Sequence, residues 1–227
     1  MFEHITMPTE KELDEYVKCA EDPVYFAKTY MKIVNIDHGL MPFKMWDFQE
    51  EMLTTFYENR FSICKLPRQV GKTTTSVAYL LHQVLFNENM MIAILANRAP
   101  TAREILQRLK LAFEYLPMFL KQGIKEWNKG SIHLANGSRV LADSTSGSSV
   151  RGMSFNIIFL DEFAFVPNNI AEEFFASTYP TISSGKSSKV VIVSTPNGMN
   201  LFYRMWMDAT EGRSDYCLLY TSPSPRD

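Results

Sequence analysis

The triplet Gly71-Lys72-Thr73 contains residue types that together bind phosphate and magnesium. In a phosphate-binding loop, backbone N–H groups at a helix N-terminus converge on the phosphates, the lysine adds a positive charge, and the hydroxyl binds the metal. An apolar, strand-like run precedes the loop at residues 60–66, and a helical pattern follows it. This context favours a nucleotide site, although such a triplet is also found in ordinary loops that cap a helix.

Two acids, Asp161 and Glu162, end the apolar run at residues 156–162. In phosphate-loop enzymes a carboxylate at a strand end helps to hold magnesium, and a neighbouring glutamate can polarise the attacking water. A solvated turn is the plainer interpretation of this pair. Two such motifs in one chain make coincidence improbable.

A third polar motif, the pair Ser194-Thr195, ends the apolar run at residues 189–195. Small hydroxyls at this place can reach a γ-phosphate, and the following Pro196-Asn197-Gly198 turns the chain away. Taken alone, the pair is typical of an ordinary strand-to-loop turn.

The elements around these motifs indicate a mixed α/β fold. Short apolar runs at 60–66, 90–96, 156–162 and 189–195 predict strands buried on both faces, with helices between them. A helical pattern covers residues 9–32 with an interruption at Pro23, and another helix fits residues 46–59. Asn136-Gly137 separates two alternating segments and predicts a hairpin.

Bulk composition agrees with a globular protein that has a sizeable core. Of the 227 residues, 46% are hydrophobic, and the formal net charge of −2 neither supports nor excludes nucleic acid as a partner. The three cysteines lack zinc-site spacing, which predicts reduced thiols. No apolar run approaches the length of about 18 residues that a membrane span needs, and no signal peptide is apparent.

The motifs and their order resemble the large terminase subunits of tailed bacteriophages, over roughly residues 40 to 210. The stretch "WDFQ" resembles the family's adenine-recognition motif, and "LPRQVGKTT" its variant phosphate loop. "IIFLDEFAFVP" resembles its acidic motif and "STPNG" its coupling motif. The set in this order is more specific than any one member.

This resemblance implies an α/β, RecA-like P-loop NTPase with a mostly parallel sheet flanked by helices. We expect an N-terminal helical subdomain at residues 1–40, the P-loop ATPase domain at 41–220, and a disordered or foreign tail at 221–227. ATP and Mg²⁺ are the implied ligands. The implied nucleotide-binding residues are Gln49, Pro67, Arg68, Gln69, Val70, Gly71, Lys72, Thr73, Thr74, Ser194 and Thr195, with Thr73 and Asp161 as metal ligands and Glu162 as the catalytic acid.

The phosphate loop lacks its usual first glycine and contains an arginine, Arg68. The resemblance implies that Arg68 is an arginine finger supplied in cis, which stabilises the transition-state charge. Arg151, in a loop rich in serine and glycine, is a second candidate that would act on a neighbouring subunit. A surface ion pair is the plainer interpretation of either arginine, and both stay open.

The implied function is an ATPase motor that moves double-stranded DNA into a viral capsid. The implied partners are double-stranded DNA, a portal protein, a small terminase subunit and further copies of the chain in a ring, with no membrane. The implied location is the cytoplasm of the infected bacterial host, transiently at the capsid portal. A helicase-like DNA-dependent ATPase and a nucleotide-binding module without motor activity are the alternatives.

Only about 30 residues follow "STPNG", whereas a further domain needs about 50 or more. Large terminases carry a nuclease domain after the ATPase, so we expect an N-terminal part of a longer protein, without nuclease activity. Six basic residues could line a DNA-binding face, although scattered lysines are usually only solubilising. They are Lys110, Lys121, Lys125, Lys129, Arg139 and Arg151.

Overall fold

A computed structural model describes residues 8–35, 37–146, 152–185 and 187–221 of the chain. The helices are α1 (Glu10–Glu21), α2 (Pro23–Tyr30), α3 (Asp47–Glu58), α4 (Lys72–Phe86), α5 (Ala99–Glu114), α6 (Asn168–Ser184) and α7 (Leu201–Thr210). The strands are β1 (Lys32–Asn35), β2 (Gly39–Pro42), β3 (Phe61–Lys65), β4 (Met91–Ala96), β5 (Ile124–Asn128), β6 (Ser131–Leu134), β7 (Arg139–Ser144), β8 (Ile157–Asp161), β9 (Lys189–Ser194) and β10 (Cys217–Tyr220). Short 3-10 turns lie at Met118–Leu120 and Phe163–Phe165.

Side-chain caps define the two N-terminal helices. The Thr9 hydroxyl accepts a hydrogen bond from the Glu12 backbone N–H at 3.3 Å and begins α1. The Asp22 carboxylate accepts from the N–H groups of Val24 and Tyr25 at 2.8 and 2.9 Å and begins α2. Pro23 is the first residue of α2, where its missing N–H costs nothing. The predicted helical pattern with its break at Pro23 is therefore confirmed.

A small hairpin, β1 and β2, follows these helices and was not predicted. The two strands form a separate antiparallel sheet in which Ile33 is paired with Met41. Strands of four residues have too few alternations for a periodic signal. Since Cys19 of α1 and Phe26 of α2 join the same hydrophobic core as α4, the two helices pack directly against the larger sheet's helix layer. The boundary at residue 40 stays a prediction.

The main sheet has eight strands in the order β10-β3-β9-β8-β4-β7-β6-β5. Neighbours from β10 to β7 run parallel, whereas β6 is antiparallel to both β7 and β5. The four predicted apolar runs are strands β3, β4, β8 and β9, and the predicted hairpin joins β6 to β7. The predicted mostly parallel sheet flanked by helices is confirmed.

Alternate side chains of the central strands enter two different hydrophobic cores. In β4, Ile92 and Ile94 pack with α4 and α5, while Ala93 and Leu95 pack on the opposite face with α6 and α7. Burial on both faces explains why these strands are continuously apolar in sequence. Because the strands are parallel, their carboxyl ends lie at one edge of the sheet.

Strand β9 lies between β3 and β8, and this order brings the three polar motifs together. Lys65 at the end of β3 is paired with Ser194 of β9, and Asp161 at the end of β8 is paired with Val193. The loop after β3, the acids of β8 and the hydroxyls of β9 therefore meet at the carboxyl edge, where ligands of open α/β sheets bind. In the described part of the chain, no helix has the length and apolar character to cross a bilayer.

Candidate functional site

The loop between β3 and α4 is shaped by two left-handed residues. Gln69 has φ 62° and Gly71 has φ 74°, and α4 begins directly afterwards at Lys72. A Cβ on Gly71 would lie 2.4 Å from Gln49 Nε2. Gly71 is therefore required both by its backbone conformation and by the close approach of Gln49.

Gln49 of α3 is hydrogen-bonded to this loop. Its Nε2 donates to the Val70 carbonyl at 3.1 Å, and its Oε1 accepts from the Trp46 backbone N–H at 3.0 Å. The side chain is buried, with 4% of its surface exposed. The adenine contact predicted for Gln49 stays a prediction, whereas its contact with the phosphate loop is observed.

The ammonium group of Lys72 connects all three polar motifs. Its Nζ lies 2.7 Å from Glu162 Oε1 and donates to Thr195 Oγ1 at 2.6 Å. Only 8% of the Lys72 side chain is exposed. A largely desolvated ammonium group binds anions more strongly than a solvated one, so this position suits a phosphate.

Glu162 is oriented by the end of β9. Its Oε2 accepts from the Thr195 backbone N–H at 3.0 Å and lies 3.4 Å from Ser194 Oγ. Glu162 itself has φ 47°, a left-handed conformation that is uncommon for a residue other than glycine. Residues with such backbone conformations cluster at functional sites, where the surrounding structure holds them.

Asp161 is buried, and its Oδ1 has no hydrogen-bond partner among the described residues. Burial raises the pKa of its carboxyl group to about 6, with the negative charge of Glu162 acting in the same direction and Lys72 opposing both. A buried acceptor without a partner is costly unless a cation or its water shell satisfies it. Asp161 therefore fits a magnesium ligand or a ligand of magnesium-bound water.

Thr73 lies on the wall of the same cleft and is half-buried. No cluster of three or more His, Cys, Asp or Glu side chains suited to a metal occurs within the described ranges. Magnesium in nucleotide sites is held by one or two protein groups together with waters and phosphate oxygens. The donor set of Thr73 and Asp161 fits that kind of site.

The cleft in front of the loop has a volume of about 490 Å³. Arg68 is exposed at its rim, with the guanidinium carbon 5.8 Å from the centre of the Phe165 ring. The lining combines residues of the loop, of α4 and α5, and of the segment after β8. It consists of Arg68, Gln69, Gly71, Lys72, Thr73, Thr74, Asn97, Thr101, Arg108, Glu162 and Phe165.

Four of these lining residues were missed by the sequence interpretation: Asn97, Thr101, Arg108 and Phe165. Asn97 directly follows the buried strand β4, so its position at the carboxyl edge of the sheet was a usable signal. Thr101 and Arg108 lie on α5, and nothing in the helical pattern indicates which polar positions face the cleft.

Some predictions concern residues that lie outside the cleft or outside the described part of the chain. Arg151 and residues 222–227 of the predicted tail lie outside the described residues. Lys110, suggested as part of a DNA-binding face, is buried, donates to the Asn128 carbonyl and lies over the Trp127 ring at 5.1 Å. The suggestion was wrong for Lys110, because a buried and bonded ammonium group cannot contact a DNA backbone.

Comparison with known families gives a match over residues 63–224 to the family described as terminase large subunit, T4likevirus-type, N-terminal. The chain belongs to this family. A relative of this large terminase chain, tripartite terminase subunit 3 of Equine herpesvirus 2 (strain 86/87), is 24% identical over 167 residues. That match covers 68% of this chain and 22% of the relative.

Solved large terminase structures share the fold. The HK97 bacteriophage large terminase has a TM-score of 0.74 at 20% identity, covering 92% of this chain and 45% of that one. A mutant ATPase domain of the Thermus phage P74-26 large terminase has a TM-score of 0.64 at 18% identity, covering 79% and 82%. The large terminase of another thermophilic bacteriophage, in complex with ATP-γ-S, has a TM-score of 0.62 at 14% identity, covering 79% and 45%. This large terminase chain thus spans about a fifth of the herpesvirus relative and less than half of the HK97 protein.

Proposed function

We propose that this chain binds and hydrolyses ATP as the motor part of a large terminase, and that hydrolysis drives double-stranded DNA into a viral capsid. The observation that carries the proposal is the contact of Lys72 with both Glu162 and Thr195. It joins the phosphate loop, the acidic motif and the coupling motif within one cleft. The ATPase domain of the P74-26 protein and the ATP-γ-S complex of the thermophilic phage protein, which share the fold, support a nucleotide as ligand.

Binding would begin at the N-terminus of α4. The backbone N–H groups of the loop, residues 67–74, surround the phosphates, and the Lys72 ammonium neutralises the β- and γ-phosphate charge. Magnesium, held by Thr73 and through Asp161, would neutralise further phosphate charge when bound. Because Asp161 has no partner at Oδ1 among the described residues, it is available for that role.

Hydrolysis would depend on Glu162. A carboxylate next to the γ-phosphate orients the attacking water and accepts its proton. The phosphate and the Glu162 carboxylate are both anions that bind Lys72, so the phosphate competes with Glu162 for the ammonium group. Release of Glu162 from Lys72 would free the carboxylate to act on water.

Arg68 is the proposed arginine finger. Its guanidinium lies at the rim of the cleft beside Phe165, and it is exposed, so it can move onto the γ-phosphate without breaking a buried contact. A guanidinium at this place stabilises the charge of the transition state. Arg151 remains the second candidate for this role.

Ser194 and Thr195 would couple the nucleotide state to movement. Both contact Glu162, and Thr195 also contacts Lys72, so loss of the γ-phosphate changes their partners. The family further supports double-stranded DNA, a portal protein, a small terminase subunit and a ring of copies as partners. The proposed location is the cytoplasm of the infected host, transiently at the portal.

Steady-state ATP hydrolysis in magnesium tests this proposal, measured with and without linear double-stranded DNA. We expect hydrolysis that DNA stimulates and that Lys72→Ala abolishes together with ATP binding. Hydrolysis without any response to DNA would favour an ATPase that is not a DNA motor. Absence of ATP binding to the wild-type chain would refute the proposal.

A further inference from the structure

Two Asn-Gly pairs occur in the chain, and the structure places them in contrasting surroundings. Asn136-Gly137 lies in the turn between β6 and β7, and Asn197-Gly198 lies in the segment between β9 and α7. An asparagine followed by glycine is prone to deamidation, because glycine has no Cβ to hinder attack of its backbone nitrogen on the asparagine side chain. Whether this reaction occurs in a folded chain depends on how firmly the structure holds both residues.

The first pair is held on both sides of the bond that would have to form. The Nδ2 of Asn136 donates to the Val84 carbonyl at 2.8 Å, and its Oδ1 accepts from the Ser138 backbone N–H at 3.0 Å. The N–H of Gly137 donates to the Leu134 carbonyl at 3.1 Å. Both the amide and the nitrogen that would attack it are therefore engaged, and reaction would require the turn to open.

The second pair is exposed and held much less firmly. The side-chain amide of Asn197 makes one hydrogen bond among the described residues, from Nδ2 to the Ala164 carbonyl at 3.2 Å. Within the same part of the chain, the N–H of Gly198 has no hydrogen-bond partner. A Cβ on Gly198 would have no atom within 4 Å, and the residue lines a cavity of about 330 Å³, which has room for several water molecules. The attacking nitrogen is free, and water has access to the product.

We propose that Asn197 is a site of spontaneous deamidation in the folded chain, whereas folding protects Asn136. The backbone nitrogen of Gly198 loses its proton to solvent and attacks Cγ of Asn197. The amide nitrogen leaves as ammonia, and a five-membered succinimide remains. One water molecule then opens the ring, at Cγ to give aspartate or at the backbone carbonyl carbon to give isoaspartate.

The product changes a contact at the turn after β8. The Ala164 carbonyl accepts the bond from Asn197, and the Ala164 N–H donates to Ser194 Oγ at 3.0 Å. A carboxylate cannot donate a hydrogen bond and is repelled by the carbonyl oxygen, so this bond is lost. The bond from Asn200 Nδ2 to the same carbonyl, at 2.7 Å, is left to hold the segment after β9. This segment therefore opens more often after deamidation.

Peptide mass spectrometry of the wild-type chain compares the two pairs directly. One sample is kept folded at mildly alkaline pH without nucleotide, and a parallel sample is kept unfolded in concentrated urea. In the folded chain we expect Asn197 to be converted at least about tenfold faster than Asn136, because only Asn136 must wait for local opening. In urea the two rates should agree within about threefold, since both pairs are then free. Labelling by an isoaspartyl methyltransferase identifies the isoaspartate that the succinimide produces.

Asn197→Gln is the matched control, because glutamine keeps an amide but would have to form a six-membered ring, which closes far more slowly. The peptide that carries this substitution should stay unmodified, while Asn136 behaves as in the wild-type chain. Asn197→Asp carries one of the two products. Hydrogen exchange over residues 195–200 should be faster in Asn197→Asp than in Asn197→Gln.

Equal conversion of the two pairs in the folded chain would overturn the proposal. So would a folded chain in which Asn197 is slowed, relative to urea, as strongly as Asn136. Unchanged hydrogen exchange in Asn197→Asp would overturn the release of the segment after β9. None of these measurements uses ATP, so their outcome is independent of the proposed function.

Discussion

The Nζ of Lys72 lies 2.7 Å from the Oε1 of Glu162, and this ion pair joins the first residue of α4 to the residue after β8. The lysine is almost fully buried, whereas 28% of the glutamate side chain is exposed. In the proposed function, a nucleotide phosphate that approaches Lys72 would therefore also change the surroundings of the carboxylate, and this one ammonium group would link binding to catalysis.

Glu162→Gln should leave nucleotide binding intact and lower the turnover number by about a hundredfold or more. The amide keeps the shape of the side chain and can still contact Thr195, but it cannot accept a proton from water. ADP affinity by calorimetry and ATP turnover at saturating substrate measure the two effects. Glu172→Gln, an exposed partner of Arg204, is the control, and equal turnover in both variants would remove Glu162 from the chemistry.

Arg68→Ala should lower turnover by about a thousandfold while changing ATP affinity only a few-fold. A finger that acts on the transition state contributes little to the ground state. Separate measurements of the turnover number and of nucleotide affinity distinguish a transition-state role from a role in ground-state binding. Arg204→Ala removes another exposed arginine and should alter neither quantity. A loss of affinity at unchanged turnover would assign Arg68 to ground-state binding.

Asp161→Asn should stabilise the fold at neutral pH and abolish magnesium-dependent turnover. Burial raises the pKa of Asp161 from 3.8 to about 6, so the unfolded chain releases this proton more readily than the folded one. The free energy of unfolding therefore falls as the pH rises from about 4 to about 6. At pH 7 the ionised carboxylate lowers the free energy of unfolding by about 1 to 3 kcal/mol, and the neutral amide of the variant avoids this loss.

Urea unfolding of wild-type chain and variant, without nucleotide, measures this difference. The variant should have a higher free energy of unfolding than the wild type at about pH 7. This difference should vanish below about pH 4, where Asp161 is protonated in both the folded and the unfolded chain. Asp215→Asn changes an exposed carboxylate and should show no such dependence on pH. A variant less stable than the wild type at pH 7 would contradict the cost assigned to Asp161.

Gln49→Ala should weaken ADP and tripolyphosphate binding by the same factor, about threefold to tenfold. Loss of the hydrogen bond to Val70 loosens the phosphate loop, and this weakens binding of the phosphates whether or not a base is attached to them. Gln122→Ala is the matched control, because that amide also donates to a backbone carbonyl, at Leu85 and not in the loop. Weaker ADP binding with unchanged tripolyphosphate binding would instead support the adenine contact predicted from sequence.

The central sheet and the core of the site were predictable because their signals are local. A strand buried on both faces is apolar over its whole length, and the residues that bind ligands in a parallel sheet lie in the segments that follow such strands. Lys72, Glu162 and Thr195 each follow an apolar run that the structure shows as β3, β8 or β9. The order of these motifs along the chain, which matches the resembled family, predicted that they belong to one nucleotide site, and the structure shows that they meet at one edge of the sheet.

The remaining features were decided by contacts between residues distant in sequence. The bond from Gln49 to Val70 depends on where α3 packs, and the burial of Lys110 depends on the strand that carries Asn128. Neither side chain differs by type from an exposed glutamine or lysine. Their partners were assigned by the tertiary packing, because packing chooses which polar groups are removed from water.

The cavity beside the phosphate cleft shows the same division. Sequence predicted α4 and α5 as helices from their 3.6-residue period, but a period gives the face that packs and not the neighbour it packs against. The cavity that Val77 and Leu111 line is also lined by Ile33 and Val34 of β1, a strand too short to be recognised in the sequence. Local signals in the sequence predicted the three polar motifs at the ends of strands, whereas the order of the strands and the packing of distant segments decided where the motifs meet and which residues line the cavity beside them.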